Sequence, residues 1–238
     1  MEVVMFNVVE VPIWCPCCRR MFVSEFFMND KNKLELESNS YRDPALPFSI
    51  HECPNEVCKF TAPFNCFNTA ENGSNTLDER TQDYIRYRLP FAMLEKNPDH
   101  LSSRFYSAAL IAAAANEPPS SIGDLYMRAA WSTLLNNDDV SQEPFYRKWT
   151  AEFYERALAE PQRTAWQYRP LYAAVIAMQY SRLHDRQLFG YWQREMELSS
   201  AQALREQFLA ALRKNVRWAP HEIPEETLIF ELGETLCL

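Results

Sequence analysis

Two closely spaced groups of cysteines near the start of the chain constrain its fold more than any other feature. The first group reads Cys-Pro-Cys-Cys and begins at Cys15, and the second reads Cys-Pro-Asn-Glu-Val-Cys and ends at Cys58. Each group can form a tight turn, or knuckle, and two knuckles can surround a tetrahedral ion with Zn–S bonds of about 2.3 Å. The sequence therefore predicts one structural Zn(II) ion. Its predicted ligands are Cys15, Cys18, Cys53 and Cys58.

The ligand assignment leaves two alternatives open. Cys17 could take the place of Cys18, although a two-residue spacer suits a knuckle better. His51 could replace one thiolate, although a single histidine beside a knuckle is usually not a ligand. The 34 residues between the two groups exceed the separation of about 15–20 common in zinc patterns. The remaining cysteines, Cys66 and Cys237, are expected to be small apolar residues.

A redox role is the main alternative for the first cysteine group. Its sequence, Trp-Cys-Pro-Cys-Cys, resembles the active sites of thioredoxins and glutaredoxins, where a helix N-terminus lowers the pKa of the first thiol. The chain would then be a glutaredoxin-like or glutathione-transferase-like thiol oxidoreductase that uses Cys15 with Cys17 or Cys18. That interpretation leaves Cys53 and Cys58 unexplained, and no later Val-Pro followed by a strand supplies the substrate-binding proline. Zinc accounts for both groups and is favoured.

The two halves of the chain have different sequence character. The runs VVMFNVVEV, MFVSEFF and KLELES, all before residue 40, have the β-branched residues or the alternation typical of strands. From about Leu77 the chain consists of helix-forming runs separated by breaks that contain proline or asparagine. The first run is expected to be kinked or ended by Pro90, and the second lies at 101–115. A turn at 117–121 and an N-cap are expected before the first of four further helices. Alanines and aromatic residues recur at helical spacing, and residues 131–161 loosely follow the tetratricopeptide pattern. A plain helical bundle is an equally good interpretation.

The predicted fold class is α+β, with a small β-rich zinc ribbon followed by an all-α, tetratricopeptide-like region. The polar segment at 68–76 reads as a linker between them. The predicted divisions are a zinc-ribbon domain at 1–72, a helical domain at 77–220 and a C-terminal tail at 221–238.

Composition argues against several classes of protein. The four glycines form neither a phosphate-binding loop nor a dinucleotide-binding motif. The net charge is −8, and residues 1–76 hold six Lys or Arg against ten Asp or Glu, so we expect no specific nucleic-acid site. We expect no membrane span, because no run approaches about 18 apolar residues, and the chain does not start like a signal peptide. Seven cysteines without such a signal favour a reducing, cytoplasmic location.

Three stretches resemble a bacterial family of uncharacterised proteins that joins a Cys-Pro-x-Cys zinc ribbon to a tetratricopeptide-like helical region. They are CPCCRRMF at 15–22, the segment 41–67, and GDLYMRAAWSTLL at 123–135. The resemblance implies a metal site and a helical domain but no reaction. This chain departs from the family pattern in having Arg19 and Lys59 in place of the knuckle glycines, and in a second knuckle that is two residues longer.

No constellation of catalytic residues is evident. The histidines His100, His184 and His221 stand apart from any nucleophile pattern, and the acidic pairs at 138–139 and 225–226 look solvated. The chain is therefore expected to be non-catalytic.

The leading hypothesis is a zinc-stabilised protein that binds a protein partner through its helical half. The candidate docking cluster is Tyr126, Arg128, Tyr168 and Arg169, because aromatic residues and arginine are enriched where partners dock. The alternative is a zinc ribbon that contacts nucleic acid. It would use Arg19, Arg20, Lys31 and Lys33.

Overall fold

The structure is a computed structural model that describes residues 7–28, 34–35, 45–135, 138–160 and 169–199. Along these residues the strands come first and the helices follow, which is the predicted α+β order. Both sheets are antiparallel. The predicted C-terminal tail lies outside the described residues.

An antiparallel hairpin carries the first cysteine group at its turn. Its strands are β1 (Asn7–Trp14) and β2 (Met21–Met28), and the two-residue strand β3 (Leu34–Glu35) pairs with β2. Successive side chains of a strand point to opposite faces, and this alternation buries Ile13 and Phe26 on one face of the hairpin. The predicted strands of this region are confirmed where the structure describes them.

The second cysteine group lies between two short strands of a separate sheet. Strand β4 (His51–Glu52) pairs with β5 (Thr61–Ala62). Beyond β5 the chain returns to the hairpin. There the Trp14 N–H donates to the Asn68 carbonyl at 2.8 Å, and the Asn68 N–H donates to the Trp14 carbonyl at 3.0 Å. These bonds hold the chain that follows the second sheet beside the start of the first cysteine turn.

Three helices follow the sheets, namely α1 (Glu79–Tyr87), α2 (Leu89–Ala92) and α3 (Leu101–Ala114). The sequence predicted a single helix here that Pro90 would kink or end, and α1 does end before Pro90. Pro90 lies in the first turn of α2, where its missing N–H breaks no helical hydrogen bond. The next predicted helix is confirmed as α3.

One apolar core contains residues from the hairpin, the second sheet, both cysteine groups and these three helices. Its buried members are Ile13, Cys15, Phe26, Cys53, Cys58, Phe60, Ala62, Phe67, Ile85, Leu89 and Ile111. Helices α1 to α3 therefore share their core with the cysteine turns. The prediction that residues 1–72 and 77–220 form separate domains means that each should fold alone, and it stays a prediction.

The chain divides into two compact units. Unit 1 consists of Met1–Glu117 with Ser132–Asp139, and it contains the elements given so far. Unit 2 consists of Pro118–Trp131 with Val140–Leu238.

Unit 2 is helical where the structure describes it. It contains most of α4 (Pro119–Ser132), together with α5 (Glu143–Ala159), α6 (Arg169–Arg182) and α7 (Arg186–Ser199). Helix α5 packs against α6, and α6 packs against α7. The four predicted helices are thus present, although α4 begins earlier than the predicted cap, and the tetratricopeptide-like character stays a prediction. Among the described residues, no helix combines the length and apolar character needed to cross a membrane.

The polar segment after the second sheet, predicted to be a linker, is fixed by its own amide side chains. The buried Asn68 donates through Nδ2 to the Asn75 carbonyl at 3.0 Å and accepts through Oδ1 from the Asn75 N–H at 2.9 Å. Asn75 Nδ2 donates to the carbonyls of Asn65 and Phe67 at 3.0 and 2.9 Å. A Cβ atom at Gly73 would lie 2.2 Å from Asn68 Oδ1, so the loop needs glycine there.

Replacing Asn68 with alanine is expected to destabilise the protein by about 1–3 kcal/mol, because the Asn75 backbone loses both of its amide partners. The matched control is Thr69→Ala at the adjacent exposed position, which should change the unfolding free energy by less than about 0.5 kcal/mol. Urea unfolding of the two variants measures the difference. Equal stabilities would contradict the role given to Asn68.

Candidate metal centre

The structure brings the four predicted cysteines together. The Sγ atoms of Cys15, Cys18, Cys53 and Cys58 all lie within 4.8 Å of one another. The Cys15–Cys58 and Cys18–Cys53 sulfur separations are both 3.6 Å. Four sulfurs bound tetrahedrally at about 2.3 Å from one ion would be about 3.8 Å apart. The cluster therefore has the size that holds a metal ion, and its cysteines are free thiols rather than disulfides.

Backbone hydrogen bonds close the first cysteine turn between β1 and β2. The Arg19 N–H donates to the Cys15 carbonyl at 2.9 Å, and the Cys15 N–H donates to the Arg20 carbonyl at 3.0 Å. Pro16 is buried at the second position, where its ring fixes φ and stiffens the turn. The turn thus fixes the positions of Cys15 and Cys18 relative to each other.

The second turn closes in a similar way although it is two residues longer. The Cys53 N–H donates to the Phe60 carbonyl at 2.8 Å, and the Lys59 N–H donates to the Asn55 carbonyl at 2.9 Å. The side-chain oxygen of Asn55 also accepts from the Val57 N–H at 3.1 Å. Such a side-chain-to-backbone bond is how asparagine commonly stabilises turns. The two additional residues are therefore accommodated within the turn, and Cys58 still reaches the cluster.

Arg19 and Lys59 occupy equivalent positions, each directly after the last cysteine of its turn. Their φ angles are 60° and 47°, a left-handed region that costs a non-glycine residue about 1–2 kcal/mol. This backbone conformation explains why glycine suits these positions in the family pattern. Both side chains make polar contacts: Arg19 Nη1 donates to the Gly73 carbonyl at 3.2 Å, and Lys59 Nζ lies 3.4 Å from Glu52 Oε1.

Three thiols of the cluster, those of Cys15, Cys53 and Cys58, compete with one another to ionise. The hydrogen bond with Cys53 raises the pKa of Cys15 to about 12, whereas the hydrogen bond with Cys15 lowers the pKa of Cys53 to about 2. Hydrogen bonds with Cys15, Cys17 and Cys53, followed by burial, raise the pKa of Cys58. One thiolate therefore forms at the expense of its neighbours. A divalent cation would remove this competition, because it stabilises all four thiolates at once.

Cys17 lies beside the cluster without being part of it. It is half-buried and packs against the core of unit 1. A hydrogen bond with Cys58 lowers the pKa of Cys17 to about 7, against the opposing effect of burial. Because the four close sulfurs include that of Cys18 and not that of Cys17, the geometry supports Cys18 as the fourth member. Cys66, expected in an apolar environment, is exposed, and Cys237 lies outside the described residues.

His51 is buried next to the second cysteine group, but it is not among the close metal-binding side chains. Its Nδ1 lies 2.7 Å from Ser24 Oγ, and its ring lies 4.4 Å from that of Phe26. Its Nε2 has no hydrogen-bond partner among the described residues. Burial lowers the pKa of the imidazole to about 4, so the ring is neutral at pH 7. His51 fills the core beside the sulfur cluster.

The local structure does not support the glutaredoxin-like interpretation of Cys15 with Cys17 or Cys18. That interpretation needs a helix that starts at the cysteines and lowers the pKa of the first thiol. Instead the turn leads into β2, which runs antiparallel to β1, and Cys15 is fully buried. The local sequence resembles the redox motif because both uses favour proline and closely spaced thiols.

The prediction that Asp138 is solvated is wrong. Its buried carboxylate accepts hydrogen bonds from the Ser102 N–H at 2.8 Å and from the Ser102 hydroxyl, and it lies 3.7 Å from His100 Nδ1. The first N–H groups of a helix need acceptors from outside it, and Asp138 supplies one for α3. In a catalytic triad the histidine lies between the hydroxyl and the carboxylate, whereas Ser102 here bonds the carboxylate directly. His221 and the second acidic pair lie outside the described residues.

The described members of the predicted docking cluster, Tyr126, Arg128 and Arg169, are buried or partly buried and form no exposed patch. Tyr126 is buried, and its ring stacks with those of Trp149 and Phe153 at centroid distances of 5.9 and 5.5 Å. Both partners belong to α5, so Tyr126 is part of the contact between α4 and α5. The prediction for Tyr126 is wrong because helical spacing does not reveal which face a neighbouring helix covers. The other members of the cluster are partly buried or lie outside the described residues.

The nucleic-acid alternative depends on four basic residues near the first turn. Arg19 and Arg20 are exposed, and Arg19 donates to the Gly73 carbonyl. Lys31 and Lys33 lie outside the described residues. The expectation of no specific nucleic-acid site stays a prediction.

The fold and the sulfur cluster define an α+β protein with a four-cysteine centre suited to metal binding. Residues 9–185 match the sequence profile of DUF2225, a family described as an uncharacterized protein conserved in bacteria. The match spans both cysteine groups and more than half of the chain, so the protein belongs to this family, and the predicted membership is confirmed. No curated protein and no solved structure is significantly similar to the chain.

Lys59→Gly is expected to be more stable than Lys59→Ala by roughly 0.5–1 kcal/mol, because relief of the left-handed strain exceeds the entropic cost of glycine. Both variants lose the partly exposed ion pair with Glu52. The comparison therefore isolates the effect of the left-handed backbone conformation at residue 59 on stability. Thermal or urea unfolding of the two variants measures it. If the alanine variant is the more stable of the two, the left-handed backbone at this position is not a source of strain.

Proposed function

We propose that this protein is a non-catalytic, zinc-stabilised protein whose sulfur cluster holds one structural Zn(II) ion. The observation that supports this proposal best is the convergence of four cysteine sulfurs within 4.8 Å. Thiolates favour soft or borderline ions, and a tetrahedral four-sulfur set is characteristic of zinc or of iron–sulfur chemistry. Zn(II) suits the site because all four sulfurs would bind one ion at the centre of the cluster. Four protein ligands leave no open position for a substrate, which is typical of structural sites.

The proposed ion would link parts of unit 1 that are distant in sequence. Cys15 and Cys18 belong to the hairpin turn, and Cys53 and Cys58 belong to the turn between β4 and β5. Because such a site does not exist in the unfolded chain, the free energy of metal binding contributes to folding. The ion would therefore stabilise the hairpin, the second sheet and the core that contains them.

Purified protein is expected to contain one zinc per chain, and Cys53→Ser should lose the metal because a buried ligand is removed. The matched control is Cys66→Ser, which removes an exposed thiol outside the cluster and should keep full zinc content. Elemental analysis of the wild type and the two variants measures zinc content. A wild-type chain without zinc, with four freely titratable cluster thiols in the native state, would contradict the proposal. Stoichiometric iron in place of zinc would also contradict it and would indicate an iron site.

We further propose that unit 2 binds a protein partner, and an exposed apolar stripe on α7 supports this. Leu188, Tyr191 and Leu198 are 37, 54 and 80% exposed, and their spacing places them along one side of the helix. Met196, on another side of α7, is buried in a core with residues of α6. Exposed apolar side chains at helical spacing are a common form of partner-binding surface.

Combining Tyr191→Ser with Leu198→Ser is expected to abolish capture of a partner by the full chain, because the apolar anchors are lost. The double variant should unfold with a free energy within about 1 kcal/mol of wild type, since both residues are exposed. Val140→Ser removes another exposed apolar residue of unit 2 and serves as the control. Quantitative affinity capture with mass spectrometry, repeated with the purified partner, measures binding. Equal capture of the partner by the double variant and the control would contradict the claim that the stripe on α7 binds the partner.

A further inference from the structure

The helical segment formed by α1, α2 and the turn after them is apolar on two opposite sides. One side packs into the core of unit 1 through Ile85 and Leu89, which are 2 and 3% exposed. The other side carries Tyr87, Phe91 and Leu94, which are 57, 74 and 75% exposed. These three side chains are called the α2 patch. A helical segment that is apolar on both sides is usually covered on both, so the α2 patch has the character of a binding surface.

The backbone places the three side chains of the patch in one row. The Met93 N–H donates to the Leu89 carbonyl at 3.0 Å, so the chain stays helical to the end of α2. The Leu94 N–H then donates to the Phe91 carbonyl at 3.4 Å, a three-residue spacing that aligns the side chains of those two residues. Residues four apart are also neighbours on a helix surface, so Tyr87 continues the row before Phe91.

Charges of opposite sign stand at the two ends of this row. Arg88 follows Tyr87, and Glu95 follows Leu94. Both charged residues are exposed, and neither side chain makes an ion pair or hydrogen bond with another described residue. Because they are seven residues apart, or about two helical turns, they lie along the same edge of the patch.

We propose that the α2 patch binds the same patch of a second copy of this chain, with the two segments antiparallel and Phe91 beside the twofold axis. Such an axis keeps the residues of one edge on that edge, so Arg88 of each copy meets Glu95 of the other. The same arrangement covers the apolar rows of both copies. This inference is independent of the proposed zinc site and of the stripe on α7.

The charges around the patch favour a second copy over a membrane surface. Two basic and two acidic residues, all exposed, border the patch. They are Arg86, Arg88, Asp83 and Glu95. An anionic bilayer attracts an excess of Lys and Arg, whereas this border is balanced and the whole chain has a net charge of −8. An apolar centre with a polar rim of both signs is instead the usual anatomy of a protein interface.

The size of the patch predicts a weak dimer. At their measured exposures, the three apolar side chains supply about half of the roughly 800 Å² that each partner buries in a standard interface. Pro90 and Ala92, which are also exposed, lie in the same segment and add to that area. We therefore expect a dissociation constant of roughly 1–100 µM.

The first test measures the mass of the full-length chain by sedimentation velocity over a range of concentrations. Wild type should change from monomer to dimer as its concentration rises. Phe91→Ser should raise the dissociation constant at least about tenfold, because both copies lose their central anchor. The matched control is Val23→Ser, which removes another exposed apolar side chain of unit 1 and should leave the dissociation constant unchanged.

The second test asks whether the patch pairs with itself in the antiparallel direction. Arg88→Glu and Glu95→Arg each place like charges together at both ends of the interface, and each should raise the dissociation constant about tenfold. Mixing the two variants should restore the wild-type affinity, because both ends of the mixed dimer again join opposite charges. Circular dichroism of each variant verifies that it is folded.

Loss of dimer in each charge variant with rescue on mixing supports the inference. A wild-type chain that stays monomeric up to about 200 µM overturns it, and so does a dimer that Phe91→Ser leaves unchanged. Folded charge variants that do not dimerise when mixed contradict the antiparallel pairing. A wild-type monomer that sediments with vesicles of phosphatidylcholine and phosphatidylglycerol, when Phe91→Ser does not, would assign the patch to a membrane and overturn the inference.

Discussion

The convergence of four cysteine sulfurs is the constraint on which unit 1 depends. Two sulfurs come from the hairpin turn and two from the turn of the second sheet, and 34 residues separate Cys18 from Cys53 in the sequence. Buried thiolates repel one another, so they need a cation to hold them together. The proposed Zn(II) would supply that attraction, and the closed backbone turns hold the ligands ready for it.

The cluster also belongs to a larger core. Cys15, Cys53 and Cys58 are buried in the same cluster of side chains as Ile85 of α1 and Ile111 of α3. A disturbance at the sulfurs is therefore expected to reach the helices of unit 1 and not only the two small sheets.

The sequence predicted local features well and long-range contacts poorly. The spacing of the cysteines identified the cluster because each turn is encoded by a few adjacent residues, and Pro90 marked the end of α1 because proline disrupts a helix from within. The capping of α3 by Asp138, the contact of Cys17 with Cys58 and the burial of Tyr126 depend on which elements pack together. No local pattern carries that information. Only the asparagines of the predicted linker, whose amides can bond backbone groups as those of Asn68 and Asn75 do, hinted that this segment is ordered.

Hydrogen exchange of backbone amides with and without a zinc chelator tests the central claim most directly. If a metal on the four cysteines stabilises unit 1, its removal should strongly reduce protection in β1, β2 and α1, while α5 and α6 of unit 2 keep more of theirs. The change should reverse when zinc is restored. Protection that is identical before and after chelation, or a loss centred on α5 and α6, would contradict the account.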